Sequence, residues 1–339
     1  MYNKLADTAY EKRLRVAVIG AGGWGYQHAR AFSSRDDTKL VAIVGRTLSR
    51  TQARAERFKV PWYLDIDEMI EKERPDFVSV CLPAQQNFEP TMKVIRAGIS
   101  LLAEKPLSYD LAQAEALLSA SREKNLFFAI NFNQRYSIPC LKARTTIDEG
   151  KLGNPIFALW RFGHGWGADT LSHPYLNAIE AQCHGFDMLE HMFGPIAALS
   201  AEMTDNGGKK GYGTFALSLS FKNGAVGSFL ATLDANDANR NCQYLELSGT
   251  RGRILIEDNY RRYSYQETGS ETEEVWQAPF FADAERCFGH NLDRHLDDLI
   301  PAFLEGKEPP VPADRGLRAL RLAMAAIESF EKHTRVCTE

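Results

Sequence analysis

The chain has 339 residues, 44% of them hydrophobic and 25% charged, with a formal net charge of −4. This length accommodates two domains of ordinary size, and the composition is typical of a soluble globular protein. The weak negative charge argues against nucleic acid or an anionic membrane as a partner, and the longest apolar runs are shorter than the roughly 20 residues that cross a bilayer.

The cysteines and the N-terminus bear on the compartment. The six cysteines are scattered and form no Cys-x-x-Cys pair, so we expect reduced, mostly buried thiols rather than a disulfide framework. Residues 1–13 are polar and charged and lack the apolar core of a secretory signal. Both features predict a cytoplasmic protein.

The first third of the chain alternates strand and helix patterns. Apolar runs predict strands at 14–19, 40–44, 77–82, 100–103 and 127–131. The segments between them predict helices at 26–33, 50–58, 67–72, 90–97 and 110–125. Repeated units of this kind form a parallel sheet with right-handed crossovers. We therefore expect a doubly wound, Rossmann-type sheet in a first domain of residues 1–134.

Beyond residue 135 strand patterns dominate. A helix at 138–149 is followed by strand candidates at 156–162, 197–204, 215–221, 226–231, 244–248, 253–257 and 261–265, with a helical stretch at 180–193. Asn223-Gly224 and Thr250-Arg251-Gly252 are typical hairpin turns. Two helices, at 290–304 and 317–333, end the chain and are candidates for packing back on the first domain. The pattern predicts an α+β domain at 135–339, with a mostly antiparallel, open-faced sheet and helices on one side.

The hexapeptide Gly20-Ala21-Gly22-Gly23-Trp24-Gly25 follows the first predicted strand and precedes the first predicted helix. Gly20 permits a tight turn, Gly22 lets the backbone approach a pyrophosphate, and Gly25 lets the helix pack close to the sheet. The helix N-terminus then directs its N–H groups at the phosphate. Because the surrounding unit reads β-α-β, we interpret the motif as a dinucleotide site; the alternative is a glycine-rich turn without a ligand.

The end of the second strand bears on the choice of dinucleotide. An NAD site usually places a carboxylate here to bind the ribose 2′-OH, but this chain has Gly45, Arg46 and Thr47, followed by Arg50. A small residue leaves room for a 2′-phosphate, and the arginines and the threonine supply donors. We therefore favour NADP(H) over NAD(H). The alternative is that Arg46 and Arg50 are only solvated residues at the start of a helix.

Two further segments carry candidate catalytic groups. Glu104-Lys105-Pro106 directly follows a buried strand, where Lys105 could take a hydroxyl proton or polarise its oxygen. On a continuous helix, Glu180 and His184 would be i,i+4 neighbours on one face, suited to binding a substrate hydroxyl and moving its proton. The alternatives are a turn lysine and a satisfied histidine at a domain boundary. No signature such as His-Glu-x-x-His is present, so no metal site is predicted.

Taken together, these motifs resemble the glucose–fructose oxidoreductase/inositol dehydrogenase (Gfo/Idh/MocA) family of NAD(P)-dependent oxidoreductases. The matching segments are Gly20–Gly25, Val80–Pro83, Ala97-Gly98 before Glu104-Lys105-Pro106, Asn133–Tyr136, Glu180–Gly194, Pro309–Val311 and Gly316–Ala319. The resemblance implies that Lys105 is the catalytic lysine, that His184 is the active-site histidine, and that the peptide before Pro106 is cis.

Three positions depart from the family pattern. Glu180 stands where the family usually has Asp, four residues before the histidine, and is one methylene longer. Asn87 stands where many members have a histidine that follows the strand-end proline, and an asparagine cannot titrate. Gly45 replaces the usual acidic residue. These departures leave the substrate and the cofactor open.

The expected activity is hydride transfer between a nicotinamide and a secondary hydroxyl or ketone of a sugar, inositol or related polyol. We expect Lys105 and His184 to contact the reacting hydroxyl, one of them to remove its proton, and Glu180 to orient His184 or hold a neighbouring hydroxyl. Further cofactor contacts are expected from Leu82, Pro83, Asn87 and Glu104. A substrate wall is expected from Arg135, Trp160, His164, Trp166 and Tyr175, since aromatic faces stack on sugars.

Three alternatives stay open. The first is an NADPH-dependent reductase of a keto-sugar or dicarbonyl, and the second is a hydrolase that uses an intact nicotinamide cycle on glycosides. The third is a non-catalytic, nucleotide-binding redox sensor, which would need no proton-transfer groups. The open face of the second sheet predicts a homodimer or homotetramer.

Overall fold

The computed structural model describes residues 13–165, 172–208, 210–234, 242–259, 261–279 and 289–338. These residues divide into two compact units. One contains the chain up to Asn131 together with Leu296–Ala313, and the other contains Phe132–His295 together with the chain from Asp314 onward. Within the described residues, no helix is both long enough and apolar enough to cross a membrane.

The first unit contains a six-stranded parallel sheet with the order β3-β2-β1-β4-β5-β6. Its strands are β1 (Leu14–Ile19), β2 (Thr38–Val44), β3 (Trp62–Tyr63), β4 (Phe77–Val80), β5 (Ser100–Ala103) and β6 (Phe128–Ile130). The strand order reverses between β1 and β4, and ligands of such sheets bind at the carboxyl ends of the strands beside that reversal. The predicted Rossmann-type sheet is confirmed.

Helices connect these strands, namely α1 (Gly23–Ser33), α2 (Leu48–Phe58), α3 (Ile66–Glu73), α4 (Phe88–Arg96) and α5 (Leu111–Glu123). Asp65 and Asp110 cap α3 and α5, because their carboxylates accept the backbone N–H of Glu68 and Gln113. Helix α1 begins three residues earlier than expected, since Gly22 and not Gly25 is its N-cap.

Residues 296–313 complete the first unit. The N–H of Ile130 at the end of β6 donates to the Val311 carbonyl oxygen at 3.0 Å. Helix α8 (His290–Leu304) brings Phe303 to ring-centroid distances of 5.2 Å from Phe77 and 5.3 Å from Phe127. This later segment therefore contributes to the core of the first unit.

The second unit contains a nine-stranded sheet with the order β14-β13-β12-β11-β7-β10-β9-β8-β15. Every neighbouring pair is antiparallel except β7 and β10, which are parallel. The strands are β7 (Pro155–Gly163), β8 (Ile196–Thr204), β9 (Thr214–Phe221), β10 (Val226–Thr232), β11 (Gln243–Gly249), β12 (Gly252–Glu257), β13 (Arg262–Glu267), β14 (Glu274–Gln277) and β15 (Val336–Cys337). The prediction of a mostly antiparallel sheet is confirmed.

Within the part of the chain that the structure describes, helices cover one face of this sheet and leave side chains on the other face exposed. The α-helices that lie wholly within the described residues of the unit are α6 (Ile138–Asp148), α7 (Cys183–Phe193) and α9 (Asp314–Lys332). On the covered face, the fully buried Phe229 ring lies 5.0 Å from that of Phe186 on α7. On the other face, Val226 and Leu230 are 57% and 41% exposed. Alternating side chains along β10 therefore divide between core and surface.

Candidate active site

The glycine loop joins β1 to α1 at the carboxyl end of the first sheet. A Cβ at Gly20, whose φ is 131°, would overlap the Cys81 carbonyl oxygen, and a Cβ at Gly25 would overlap that of Gly20. A Cβ at Gly22 or Gly23 would meet no heavy atom within 4 Å. Gly22 supplies no side-chain cap to α1, so the first N–H groups of the helix can bind a phosphate. The loop fits a dinucleotide pyrophosphate.

The residues at the start of α2 lie where the sequence places the adenosine end of the dinucleotide. Arg46, Thr47 and Arg50 are exposed. Gly45 is buried, and a Cβ there would overlap Thr51 Oγ1 and lie 3.0 Å from Ala21 Cβ. The close packing around Gly45 is therefore a second reason for a glycine at this position, in addition to the space that a 2′-phosphate would need.

The turn after β5 presents the candidate catalytic lysine. Lys105 is half-buried, and its peptide bond to Pro106 is cis, which confirms that expectation. Asn87 is 2% exposed and its Nδ2 donates to the Leu107 carbonyl oxygen at 3.1 Å. Asn87 therefore stabilises this turn from the segment that follows β4. In the same segment, Leu82 is half-buried and Pro83 is exposed.

A histidine that the sequence analysis did not single out lies behind the same turn. His28 of α1 is fully buried and lies 2.8 Å from Glu104 Oε1 through its Nε2. Glu104 Oε1 also accepts from Asn131 Nδ2 at 2.6 Å, and Glu104 Oε2 accepts from the Lys105 N–H at 3.2 Å. The only sequence signal for His28 was its position one helical turn after Gly25, on the face of α1 that packs against the sheet.

The segment that carries Glu180 and His184 is not one continuous helix. Residues Asn177–Ala181 form a π-helical turn, Gln182 leaves the helical region at φ −102° and ψ 9°, and α7 begins at Cys183. The expectation that Glu180 and His184 are i,i+4 neighbours on one helical face is therefore wrong. Glu180 is half-buried in the π turn, and His184 is 6% exposed in the first turn of α7.

His184 is held by its surroundings in the second unit. Its ring meets the ring of Phe132 edge to face, with centroids 5.6 Å apart. One turn further along α7, Asp187 accepts from Arg135 Nε at 2.7 Å, and a second bond joins Arg135 Nη2 to the other carboxylate oxygen. Both side chains of this ion pair are buried. Although burial opposes it, Asp187 raises the pKa of the Arg135 guanidinium, which stays charged.

This ion pair corrects one substrate-wall assignment. Arg135 lies in the 3-10 turn Asn133–Tyr136 and is 8% exposed, with two of its nitrogens committed to Asp187. It fixes α7 to the chain entering the second unit and does not offer those nitrogens to a substrate. The bidentate geometry is the one that arginine and carboxylate favour.

Trp160 is a second correction. Its side chain is 2% exposed, its Nε1 donates to Gln182 Oε1 at 3.2 Å, and a Cβ at Gly185 would lie 2.8 Å from that nitrogen. It is a core residue on which α7 packs, because inward positions of β7 face the helices.

The other wall candidates differ in what they can offer. The Tyr175 ring stacks on Tyr212 at 5.2 Å and its hydroxyl donates to Glu331 Oε1 at 2.6 Å, so one ring face and the hydroxyl already have protein partners. His164 is exposed just beyond β7, and Trp166 lies outside the described residues. A role for these two residues in substrate binding stays a prediction.

Both units match known protein families. Residues 14–132 match the family described as "Oxidoreductase family, NAD-binding Rossmann fold", and residues 177–338 match "Oxidoreductase family, C-terminal alpha/beta domain". The chain belongs to the Gfo/Idh/MocA oxidoreductase family. In this family the first unit is the NAD-binding one, so a nicotinamide dinucleotide is the cofactor that the glycine loop serves.

Relatives within the Gfo/Idh/MocA family act on sugars and inositols according to their names. The chain is 34% identical to the D-glucoside 3-dehydrogenase of Escherichia coli K12 over 164 residues, which are 46% of this chain and 47% of that protein. It is 27% identical to the myo-inositol 2-dehydrogenase of Thermotoga maritima over 344 residues, 96% of this chain and 99% of that one. The structure of a levoglucosan dehydrogenase with NADH and levoglucosan superposes with a TM-score of 0.87 at 21% identity, covering 96% of this chain and 100% of that chain.

Proposed function

We propose that this protein is an NAD(P)-dependent dehydrogenase that oxidises a secondary hydroxyl of a sugar, inositol or related polyol. The observation that carries the proposal is the half-buried Lys105, which follows β5 at the same sheet edge as the glycine loop. A cation at the carboxyl end of a strand, beside a dinucleotide site, is suited to polarise or deprotonate a hydroxyl. The names of the sugar and inositol dehydrogenase relatives support this substrate class.

Each candidate side chain has a separate proposed role in hydride transfer. When bound, the nicotinamide supplies the acceptor for the hydride. Lys105 and His184 contact the reacting hydroxyl, and one of them takes its proton. Glu180, in the π turn just before α7, orients His184 or holds a neighbouring hydroxyl. The Phe132 ring and the Arg135–Asp187 ion pair limit the movement of α7 and so keep the His184 imidazole in place.

The proposed cofactor is NADP(H). Arg46, Thr47 and Arg50 are exposed at the start of α2, and the end of β2 carries no carboxylate. Two guanidinium groups and a hydroxyl match the charge and donor pattern of a 2′-phosphate, whereas a ribose 2′-OH would lack its usual acceptor. NAD(H) is the alternative, and the NADH of the levoglucosan dehydrogenase structure belongs to a protein only 21% identical.

Initial rates test the activity and the cofactor together. A panel of sugars, inositols and their keto forms is assayed in both directions with NAD(H) and NADP(H). We expect at least one member of the panel to be turned over with a higher kcat/KM for NADP than for NAD. If no panel member reacts with either nucleotide, the dehydrogenase proposal fails, and a clear preference for NAD ends the phosphate argument.

Variants near α2 sharpen the cofactor test. Arg46→Ala should raise the KM for NADP and leave the KM for NAD nearly unchanged, whereas Lys39→Ala, at the other end of β2, serves as the matched control. Gly45→Asp combined with Thr51→Ala should shift preference towards NAD, because the second change removes the hydroxyl that the new Cβ would meet. Equal effects of Arg46→Ala on both nucleotides would contradict the proposal.

A reductase working in the opposite direction is the second candidate. The absence of a carboxylate beside Arg46 favours it, because NADPH is the usual reducing cofactor and a 2′-phosphate site would serve it. The same panel decides: a keto-sugar or dicarbonyl reduced much faster than any polyol is oxidised, at matched saturation, identifies the reductase.

The proposal includes a homodimer or homotetramer formed through the open face of the second sheet. Phe157 and Val226 lie opposite each other on β7 and β10, and Leu230 follows on the same face, each at least 38% exposed. Sedimentation at micromolar concentration should show an oligomer that Leu230→Lys weakens. Leu304→Lys, a 57% exposed leucine of the first unit, is the matched control. A wild-type protein that stays monomeric would refute this part.

A further inference from the structure

A buried polar chain links the helix after the glycine loop to the backbone of the candidate catalytic lysine. His28 of α1 is 0% exposed; its Nδ1 lies 2.7 Å from Ser79 Oγ of β4 and its Nε2 lies 2.8 Å from Glu104 Oε1. The other Glu104 oxygen accepts the Lys105 N–H. Asn131 Nδ2 also donates to Glu104 Oε1, so one network joins α1 and β4 to the residues that directly follow β5 and β6. Such networks are rigid when every member is satisfied.

The charges of this network support one another. Burial alone would lower the pKa of His28, but Cys81 and Glu104 raise it to about 10. Burial alone would raise the pKa of Glu104, but His28, Asn131 and Lys105 lower it. The imidazole and the carboxylate lie 2.8 Å apart inside the protein, and the raised pKa of His28 favours the protonated imidazole in this contact. Asn131 Nδ2 lies 3.4 Å from the same His28 Nε2, and the Trp24 ring meets the imidazole edge-on with centroids 6.4 Å apart.

We infer that His28 is the positioning residue for Lys105. Its bond to Glu104 fixes the carboxylate whose second oxygen holds the Lys105 N–H, and its place on α1 ties that turn to the helix whose N-terminus forms the glycine loop. Without His28, the buried Glu104 carboxylate loses the imidazole that faces it at 2.8 Å and is held less firmly, by Asn131 Nδ2 and the Lys105 N–H. This inference rests on the proposed function, because it assigns His28 a task in aligning the proton-transfer group.

The kinetics of His28→Gln test the inference through kcat, the KM for nucleotide and the kcat–pH profile. A residue with only a structural role would not change kcat and its pH profile while leaving this KM unchanged. We expect kcat to fall about 10²-fold, the loss typical of a misplacement near 1 Å, while the KM for nucleotide stays within a factor of about two. We also expect a new limb in the kcat–pH profile, with kcat rising with pH as the unpaired, buried Glu104 ionises. His28→Gln combined with Glu104→Gln should lack that limb. His290→Gln is the control for loss of a histidine.

A spectroscopic readout is independent of turnover. In protein labelled at histidine, the resonance absent from His28→Gln should report an imidazolium that persists to pH 9 in the wild type. In Glu104→Gln the pKa of the same resonance should be lower than in the wild type, because one of the two groups that raise it has lost its charge. If His28 titrates near pH 6.5 in the wild type, or if His28→Gln keeps its kcat, the inference is overturned.

The two proposals fail separately. If no sugar or polyol reacts but the His28 resonance behaves as expected, the proposed activity fails and the ion pair stands without its catalytic task. If the panel identifies a substrate and His28→Gln turns it over normally, only the positioning role is lost.

Discussion

Replacing Lys105 by alanine is expected to lower kcat about 10²- to 10⁴-fold, the range that one positioned general acid or base contributes. Lys105 follows β5 directly and its backbone N–H is held by Glu104, which fixes the start of its side chain at the carboxyl end of the sheet. The KM for nucleotide should change little, because we expect the backbone of the glycine loop, and not Lys105, to bind the pyrophosphate. Steady-state kinetics on the best substrate of the panel measure both quantities.

Matched variants distinguish proton transfer by Lys105 from the effect of its positive charge. Lys105→Arg keeps a cation but cannot exchange a proton near neutral pH, so we expect it to be nearly as slow as alanine. Lys124→Ala removes an exposed lysine at the end of α5 and should leave kcat at the wild-type value. Thermal unfolding verifies that each variant is folded. Near-normal turnover by Lys105→Ala would show that Lys105 is not a catalytic residue.

Separating the buried Arg135–Asp187 pair should give the largest loss of stability. Arg135→Met or Asp187→Leu alone leaves one uncompensated buried charge, and such losses cost about 3–5 kcal/mol in the free energy of unfolding. The double variant replaces both charges with apolar groups and should recover most of that loss. Because Asp187 lies one turn after His184 on α7, each single variant should also lower kcat.

Denaturant unfolding of the four proteins measures this double-mutant cycle. The exposed i,i+4 pair of Lys72 and Glu68 on α3 provides the control, since Lys72→Met should change the unfolding free energy by less than about 1 kcal/mol. If the unfolding free energies of both single variants differ from the wild-type value by less than about 1 kcal/mol, the Arg135–Asp187 pair does not anchor α7. The ion pair then does not explain how His184 is held in place.

Local signals in the sequence were sufficient for most secondary structure. Apolar runs and the glycine hexapeptide predicted most strands of both sheets to within a few residues at their ends. The break at Gln182 was missed, because a π turn and an α-helix share nearly the same apolar spacing over so short a stretch. The short strands β3, β14 and β15 were also missed, because two to four residues carry too little periodicity to predict a strand.

The sequence did not predict which side chains contact each other in the folded protein. His28 and Glu104 are 76 residues apart, and Arg135 and Asp187 are 52 apart, so nothing in either local pattern indicates that they meet. Trp160 was assigned to a substrate wall because an aromatic ring suits a sugar, but period-2 alternation does not say which face of a strand will be covered. Only the packing of α7 on β7 makes it a core residue.

By itself, the sequence determined the two kinds of sheet, the dinucleotide loop and the identity of the candidate lysine and histidine, because each depends on residue types within one short segment. The tertiary structure alone decided that Arg135 and Trp160 support α7 and that a buried histidine holds Glu104. Those roles depend on burial and on charges brought together from distant segments, and a buried charge is stable only where the fold supplies its partner.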